Sequence, residues 1–278
     1  MRKNNTSTST KASTFCQLLS PVLDQLPSVI TSAIDTCRNA DVIHTKTLLA
    51  TLKFATELYL GTNICYAALS LDDVSEHKAN VAQEALSALG LHQVLPTIQA
   101  SKSFVLAHRP KAAPTFEEKP WAVLAIDYSV NWFNVGLYTI GEDGIVDPVE
   151  GYVGDPRIDE DNQLDALRDT LGQLFAHPPA ETRLPEELRH LTVYGDDAKN
   201  HEFRRILAEA LLKVGSPTQH THDLLRDANV SSSIFGGSVY MAYAAHVHMD
   251  TVDFEMYAPF AFGCKWRSKL YSEDRTEL

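Results

Sequence analysis

The sequence lacks any long uninterrupted run of apolar residues. No window of the 278-residue chain approaches the roughly 18 consecutive apolar residues that a membrane-spanning helix needs. The polar opening "MRKNNTSTSTKAST" is not followed by the apolar core of a secretory signal, which is about 7 to 15 residues long. We therefore expect no contact with a membrane and a disordered N-terminus over residues 1–14.

Basic residues are also few. The chain has 24 Lys and Arg against 36 Asp and Glu, and its formal net charge is −12. Nucleic acids and anionic lipid surfaces are bound mainly through clustered Lys and Arg side chains. Since no run of basic residues offsets the acidic balance, we expect no nucleic-acid partner.

Cysteines are sparse and far apart. The four, Cys16, Cys37, Cys65 and Cys264, show neither a Cys-x-x-Cys pair nor the spacing of a metal site. This pattern predicts free thiols in a reducing compartment, and hence a cytoplasmic protein, with no zinc site and no disulfide frame.

What the sequence does contain is an alternation of helix and strand patterns, which is typical of an α/β fold. A helical pattern of leucines beginning at Leu48 ends at Gly61, a residue suited to the C-cap. The apolar stretch at residues 63–70 then predicts a strand, and residues 71–90 predict a helix.

The start of that second helix allows two interpretations. Asp72-Asp73-x-x-Glu76 matches in part the metal-binding run of class I terpene cyclases. Those enzymes need an all-helical barrel and a second magnesium motif, neither of which is evident. Asp73 and Glu76 also have the spacing of a capping box, and we favour this interpretation.

The proline-rich stretch 109–120 divides the chain. Before it, residues 15–113 hold the N-terminal helices and a first part of the fold; after it, residues 121–249 form a second part. The patterns in this second part predict two paired strands, a bent strand, a helix at 160–175, a short strand "LTVYG", a helix "KNHEFRRILAEALLKVG" and a small-residue helix "SIFGGSVYMAYAAHVHM". We predict no regular element in the C-terminal tail, residues 250–278.

Four segments between Thr56 and Ala245 carry a resemblance to a known family. They are the stretch from Thr56 to His108, the strand pair "AIDYSVNWFNVGLY" with the strand that follows it, the segment "LTVYGDDAKNHEFRRIL", and "ANVSSSIFGGSVYMAYAA". In this order they resemble the ATPase domain of the seventy-kilodalton heat-shock chaperones, in the actin and sugar-kinase superfamily. The resemblance implies a reduced two-lobed actin-like α/β fold whose ribonuclease-H-like second lobe is the better kept.

The departures from that family bear on function. The first phosphate hairpin of the family is missing. After Asp127 the chain has Ser129, Val130, Asn131 and Trp132 in place of the glycines that approach phosphate, and Asn134 in place of the next aspartate. In the adenosine motif, Asp196 and Asp197 replace Gly and Ser, and Lys199 replaces the arginine that stacks on adenine. We therefore expect no ATP hydrolysis by the family mechanism.

The resemblance also brings together the candidate site residues. The candidate catalytic groups are Asp127, Asp196 and Asp197. The resemblance implies that the remaining candidates line the old nucleotide cleft: Tyr128, Ser129, Asn131, Trp132, Asn134, Lys199, Gly236, Gly237 and Tyr240. Each has a structural alternative. Asp127 ends a strand, the two adjacent aspartates cap a helix, the glycines allow close helix packing, and the aromatic residues fill the space of the missing hairpin.

Two function classes follow. The first is a non-catalytic pseudo-ATPase that serves as a binding or scaffold module. The alternative is an enzyme that reuses the cleft for a small apolar metabolite, as a nucleotide-independent cyclase, isomerase or lyase. Neither needs a cofactor or metal. The missing hairpin would expose part of the first lobe, so we also expect a homodimer.

Overall fold

The computed structural model describes residues 39–108, 114–130, 132–154, 160–180, 182, 184, 188–213, 223–226, 229–230 and 235–257. The described residues contain both helices and strands, and their sheets include parallel pairs, which confirms the α/β class. The disordered N-terminus predicted for residues 1–14 lies outside the described residues. The chain divides into two compact units: unit 1 comprises Met1–Ala67, Ser75–Val94 and Asp250–Leu278, and unit 2 comprises Ala68–Val74 and Leu95–Met249.

Unit 1 is mainly helical. It contains α1 (Ala40–Leu60), β1 (Tyr66–Ala67), α2 (Glu76–Ala88), β3 (His92–Gln93) and α7 (Val252–Tyr257). The short strands β1 and β3 pair in parallel on either side of α2. Helix α7 lies in the stretch for which the sequence pattern predicts no regular element.

The ends of α1 follow from its sequence. The Asn39 side chain accepts a hydrogen bond from the Asp41 amide at 3.1 Å and so caps the first turn. Gly61 ends the helix in the left-handed conformation, at φ 65°, and its amide donates to the Glu57 carbonyl. The predicted glycine C-cap is therefore confirmed. The helix leaves several large apolar side chains exposed: Leu48, Leu52, Phe54, Leu58, Tyr59 and Leu60.

Three local predictions in this region are wrong. Residues 63–70 do not form one strand, because β1 ends at Ala67 and β2 (Ser70–Leu71) is a separate strand. Helix α2 begins only at Glu76 with Ser75 as its N-cap, so Asp73 and Glu76 do not form a capping box. Cys65 takes part in a disulfide bond, which contradicts the expected free thiol.

Unit 2 is built on a five-stranded sheet. Its strands, in spatial order, are β7 (Val146–Val153), β6 (Trp132–Ile140), β5 (Trp121–Ser129), β8 (Leu188–Tyr194) and β9 (Asn229–Val230). The first three form an antiparallel meander, whereas β5, β8 and β9 are parallel. The register of β6 against β7 shifts between Leu137 and Tyr138, which agrees with the predicted bend in β7.

Both faces of the sheet are covered, which explains why β5 is apolar without alternation. Helices α4 (Glu160–Ala176) and α5 (His201–Lys213) cover the first face, where the main core lies. Helix α3 (Ala100–Ala107) covers the second face with Phe104 and Val105. Helix α6 (Gly236–Met249) packs on α3, and the short strand pair β2 and β4 (Ile98–Gln99) completes the unit.

Candidate functional site

Three polar side chains lie side by side across the middle strands of the sheet. Asp127 of β5 pairs with Asn134 of β6 on one side and with Tyr194 of β8 on the other. Residues that are paired in this way point to the same face of a sheet. That face is the one covered by α3, and the three residues are buried, with Asp127 8% exposed, Asn134 0% and Tyr194 1%.

The environment of Asp127 disfavours its charged form. The pKa of its carboxyl is raised to about 7, chiefly by burial and to a smaller extent by the carboxylates of Asp72 and Asp196. The Ser129 hydroxyl opposes these effects by donating a hydrogen bond to Asp127 Oδ1 at 3.2 Å. The group is therefore poised to change charge near neutral pH.

The backbone that follows Asp127 is held by hydrogen bonds from other parts of the same chain. The Val130 amide donates a hydrogen bond to Asp196 Oδ1 at 3.1 Å, and the Asp197 amide donates to the Tyr128 carbonyl at 3.2 Å. From α4, Gln163 Nε2 donates to the Ser129 carbonyl at 2.8 Å. Backbone groups at the edge of this hairpin thus already have partners from the loop after β8 and from α4.

Gly195 makes this close approach of two loops geometrically feasible. Its φ is +118°, a conformation that side-chain-bearing residues rarely adopt. A Cβ atom at this position would lie 2.1 Å from the Tyr128 carbonyl oxygen and 2.6 Å from Asp127 Oδ1. A glycine is needed here because the loop after β8 packs directly against the end of β5, and a side chain would not fit between them.

Asp196 and Asp197, which are adjacent in sequence, do not cap α5 directly. The helix is capped by Asn200, whose Oδ1 accepts hydrogen bonds from the Glu202 and Phe203 amides at 2.9 and 3.3 Å. Asp197 orients that cap, because its Oδ2 accepts from Asn200 Nδ2 at 2.8 Å. Lys199 is exposed beside them.

The aromatic candidates do not share one surface. Tyr128 is buried in the main core and stacks on Phe203 of α5, with ring centroids 4.5 Å apart. Trp132 is the neighbour in sequence of Phe133, which belongs to that same core, so Trp132 points to the opposite face. Tyr240 is half-buried on α6. Tyr128 therefore packs within the main core of unit 2.

The two glycines of α6 contact α3. A Cβ atom on Gly237 would lie 2.3 Å from Ser103 Oγ, and one on Gly236 would lie 3.1 Å from the Phe104 ring. These distances agree with the interpretation that the two glycines allow the two helices to pack closely. The remaining candidate, Asn131, lies outside the described residues.

A polar network beside Asp127 was not predicted from the sequence. Ser101 Oγ donates to Tyr138 Oη at 2.5 Å, and Tyr138 Oη donates to Gln99 Oε1 at 2.9 Å. Burial raises the pKa of Tyr138 to about 12 and that of Tyr194 well above its usual value. The only available signal is the alternation of polar residues along β6, from Asn134 to Tyr138.

Some buried polar atoms of this row lack partners. Within the described ranges, neither the Oδ1 nor the Nδ2 atom of Asn134 has a hydrogen-bond partner, and the same holds for Tyr194 Oη. Among the described residues, no group of three His, Cys, Asp or Glu side chains is placed to hold a metal ion. In the same part of the chain, no helix has the length and apolarity required to cross a membrane.

Comparison with known proteins does not assign the chain to a family. No protein-family model matches the chain, and no curated protein matches it significantly.

Proposed function

We propose that this protein is a non-catalytic binding module, and more specifically a pseudo-ATPase of actin-like fold that does not hydrolyse ATP. The observation that carries the proposal is the hydrogen bond from the Val130 amide to Asp196 Oδ1. In a phosphate loop, backbone amides at such a turn face the phosphate oxygens. Here a carboxylate of the same chain takes the place of an anionic ligand.

The sheet supports the fold part of this proposal. An antiparallel meander, β7-β6-β5, is extended by the parallel strands β8 and β9. The helices α4 and α5 make the crossovers to these strands. This is the arrangement expected of the ribonuclease-H-like second lobe of the actin superfamily.

The charges of the site support the functional part. Asp196 lies close enough to Asp127 to raise the pKa of its carboxyl. A phosphate about 5 Å from one carboxylate would be repelled by roughly 3 kcal/mol at an effective dielectric constant near 20. Such a penalty weakens binding about a hundredfold.

Equilibrium binding of ATP tests the proposal. We expect neither saturable binding of Mg–ATP below about 1 mM nor phosphate release, because the turn is occupied and the site is acidic. Asp196→Asn keeps an acceptor for Val130 but removes the charge, so it should bind ATP more tightly than the wild type. Glu142→Gln, which removes an exposed charge in the β6–β7 turn, serves as the matched control. Micromolar affinity or ATP turnover by the wild type would refute the proposal.

One observation favours the alternative function, an acid/base enzyme acting on a small apolar metabolite. Asp127 combines a pKa of about 7, slight exposure and a neighbouring hydroxyl, which are properties of a general acid or base. A thermal-shift screen of apolar metabolites tests this alternative. A ligand that stabilises the wild type and Glu142→Gln but not Asp127→Asn would support it, whereas equal stabilisation of all three would argue against it.

We also propose that the module forms a homodimer through α6. Four large apolar side chains recur at every fourth residue and remain exposed: Phe235 65%, Val239 66%, Tyr243 64% and Val247 49%. We call this the α6 stripe. The small exposed residues Ser238 and Ala242 lie beside it. A ridge of large side chains next to a groove of small ones is complementary to a second copy of itself.

A further inference from the structure

The main core of unit 2 contains a cavity away from the Asp127 row. It lies between β8 and α5, is partly open to solvent, has a volume of about 180 Å³, and is also lined by Leu225. Leu191 and Val193 line it from the sheet, on the opposite face from Tyr194. The cavity is therefore separate from the candidate site described above.

Apart from Arg204, the walls of this cavity are apolar. Phe203 and Leu207 from α5 face the two residues of β8, and all four side chains are buried. Protein interiors leave few voids larger than a water molecule, so a partly open apolar pocket of this size can take a small ligand. For comparison, a cavity of about 150 Å³ is large enough to take a benzene-sized molecule. The volume therefore suits an apolar group of about six to eight non-hydrogen atoms.

One of the residues that line the cavity carries a positive charge. Arg204 lines the cavity but is itself exposed. In the described part of the chain its guanidinium has no ion-pair or hydrogen-bond partner, whereas the next residue, Arg205, pairs with Glu202 and Glu209. A guanidinium matches a carboxylate geometrically and binds it through two parallel hydrogen bonds.

From these observations we propose that the cavity binds a small carboxylic acid with a compact apolar body, aromatic or branched. The body fills the space between β8 and α5, and the carboxylate lies at the rim against Arg204. The chain is acidic overall and repels anions at long range, so the attraction for a carboxylate at this pocket comes from the Arg204 guanidinium at its rim. The proposal does not rest on the pseudo-ATPase function, because it uses the other face of the sheet.

Calorimetric titration with matched probes tests the proposal. We use benzoate, cyclohexanecarboxylate and 3-methylbutanoate, together with benzamide, which has the shape of benzoate without its charge. We expect at least one carboxylate to bind saturably with a Kd below about 1 mM and more tightly than benzamide. Failure of all three carboxylates to bind, or equal binding of benzoate and benzamide, would overturn the proposal.

Two pairs of variants locate the site. Arg204→Gln should weaken carboxylate binding at least about tenfold and leave benzamide unchanged, because a charge-assisted hydrogen bond is lost. Arg189→Gln, at another exposed arginine, should change neither. Ala208→Leu narrows the cavity and should abolish binding of both probes, unlike Ala55→Leu on the exposed surface of α1. Unchanged carboxylate binding in Arg204→Gln would refute the assignment even if Ala208→Leu failed to fold.

Discussion

Asp127 carries a carboxylate in surroundings that favour a neutral group. It is 8% exposed, it lies between the uncharged side chains of Asn134 and Tyr194, and two further carboxylates act on it. Among the described residues, the Ser129 hydroxyl donates a hydrogen bond to it. Holding the charged form in this place costs free energy, and the cost depends on pH.

The sign of this pH dependence follows from the direction of the shift. The folded-state pKa of Asp127, about 7, lies above the value of 3.8 for an unperturbed Asp. Below about pH 4 the group is protonated in both states, and its contribution to stability is fully present. Between about pH 4 and 7 the unfolded state loses the proton first, so the stability falls by up to about 4 kcal/mol.

We therefore predict that Asp127→Asn gains stability relative to the wild type as the pH rises. The difference between the free energies of unfolding of variant and wild type should grow by about 2–4 kcal/mol between pH 4.5 and 8. Urea unfolding at the two pH values measures it. Asp143→Asn, in an exposed turn, should show no such trend. Parallel pH profiles of Asp127→Asn and the wild type would contradict the assigned burial.

At the scale of elements, the contact between α3 and α6 depends on glycine. A Cβ atom on Gly237 would lie 2.3 Å from Ser103 Oγ and 2.9 Å from the Phe104 ring. Neither neighbour moves easily, since Ser103 donates to the Ala100 carbonyl and Phe104 stacks on Tyr194, with ring centroids 3.6 Å apart. By contrast, nothing lies within 4 Å of a Cβ atom at Gly172 in α4.

The same substitution should consequently have opposite effects in the two helices. Gly172→Ala should stabilise the protein by about 0.5–1 kcal/mol through helix propensity. Gly237→Ala should destabilise it by about 1–3 kcal/mol, because the overlap exceeds that gain. Chemical denaturation measures both, and Ser103→Ala added to Gly237→Ala should restore part of the loss. Equal stabilisation by both alanines would show that α6 does not pack closely on α3.

The elements that were predicted correctly are those with strong local patterns. The helical periodicity of α5 and the long apolar runs of β5 and β6 are complete within one segment of sequence, so their existence and order follow from it. The short strands β1 to β4 fail that condition. Each has two residues and is defined by a parallel partner about 26 or 28 residues away, which no local pattern reveals.

The same distinction applies to the site. Asp127 and its turn are candidates because they follow an apolar strand directly and stand where the resemblance places a phosphate motif. The placement of Tyr194 beside Asp127 depends on the register of β8 against β5, and the contact of Val130 with Asp196 joins residues 66 positions apart. Registers and such contacts are set by packing of the whole unit, so the sequence alone left the alternatives open.

At the scale of the whole molecule, charge and exposed apolar surface oppose each other. The net charge of −12 keeps copies of the chain apart, yet the α6 stripe is apolar. Helix α6 contains no Asp, Glu, Lys or Arg. It can therefore contact a second copy of the chain without repulsion between charged side chains of this helix. Two stripes would bury about 1,000 Å² in total, which is near the lower limit for a specific interface.

We predict a weak dimer whose population rises with protein concentration between about 1 and 100 µM, as expected for a small interface. Sedimentation velocity measures it. Tyr243→Glu should leave only monomer, because it places a charge in the middle of the stripe. Leu52→Glu, a matched change on the exposed apolar surface of α1, should leave the dimer unchanged.

Salt gives an independent check on the same dimer. Raising the ionic strength from about 0.05 to 0.5 M screens the repulsion between two copies of charge −12, so it should strengthen an interface without charge pairs. An interface held by ion pairs would weaken instead. A monomer at every concentration, or a dimer disrupted by Leu52→Glu and not by Tyr243→Glu, would rule out the α6 stripe as the contact surface.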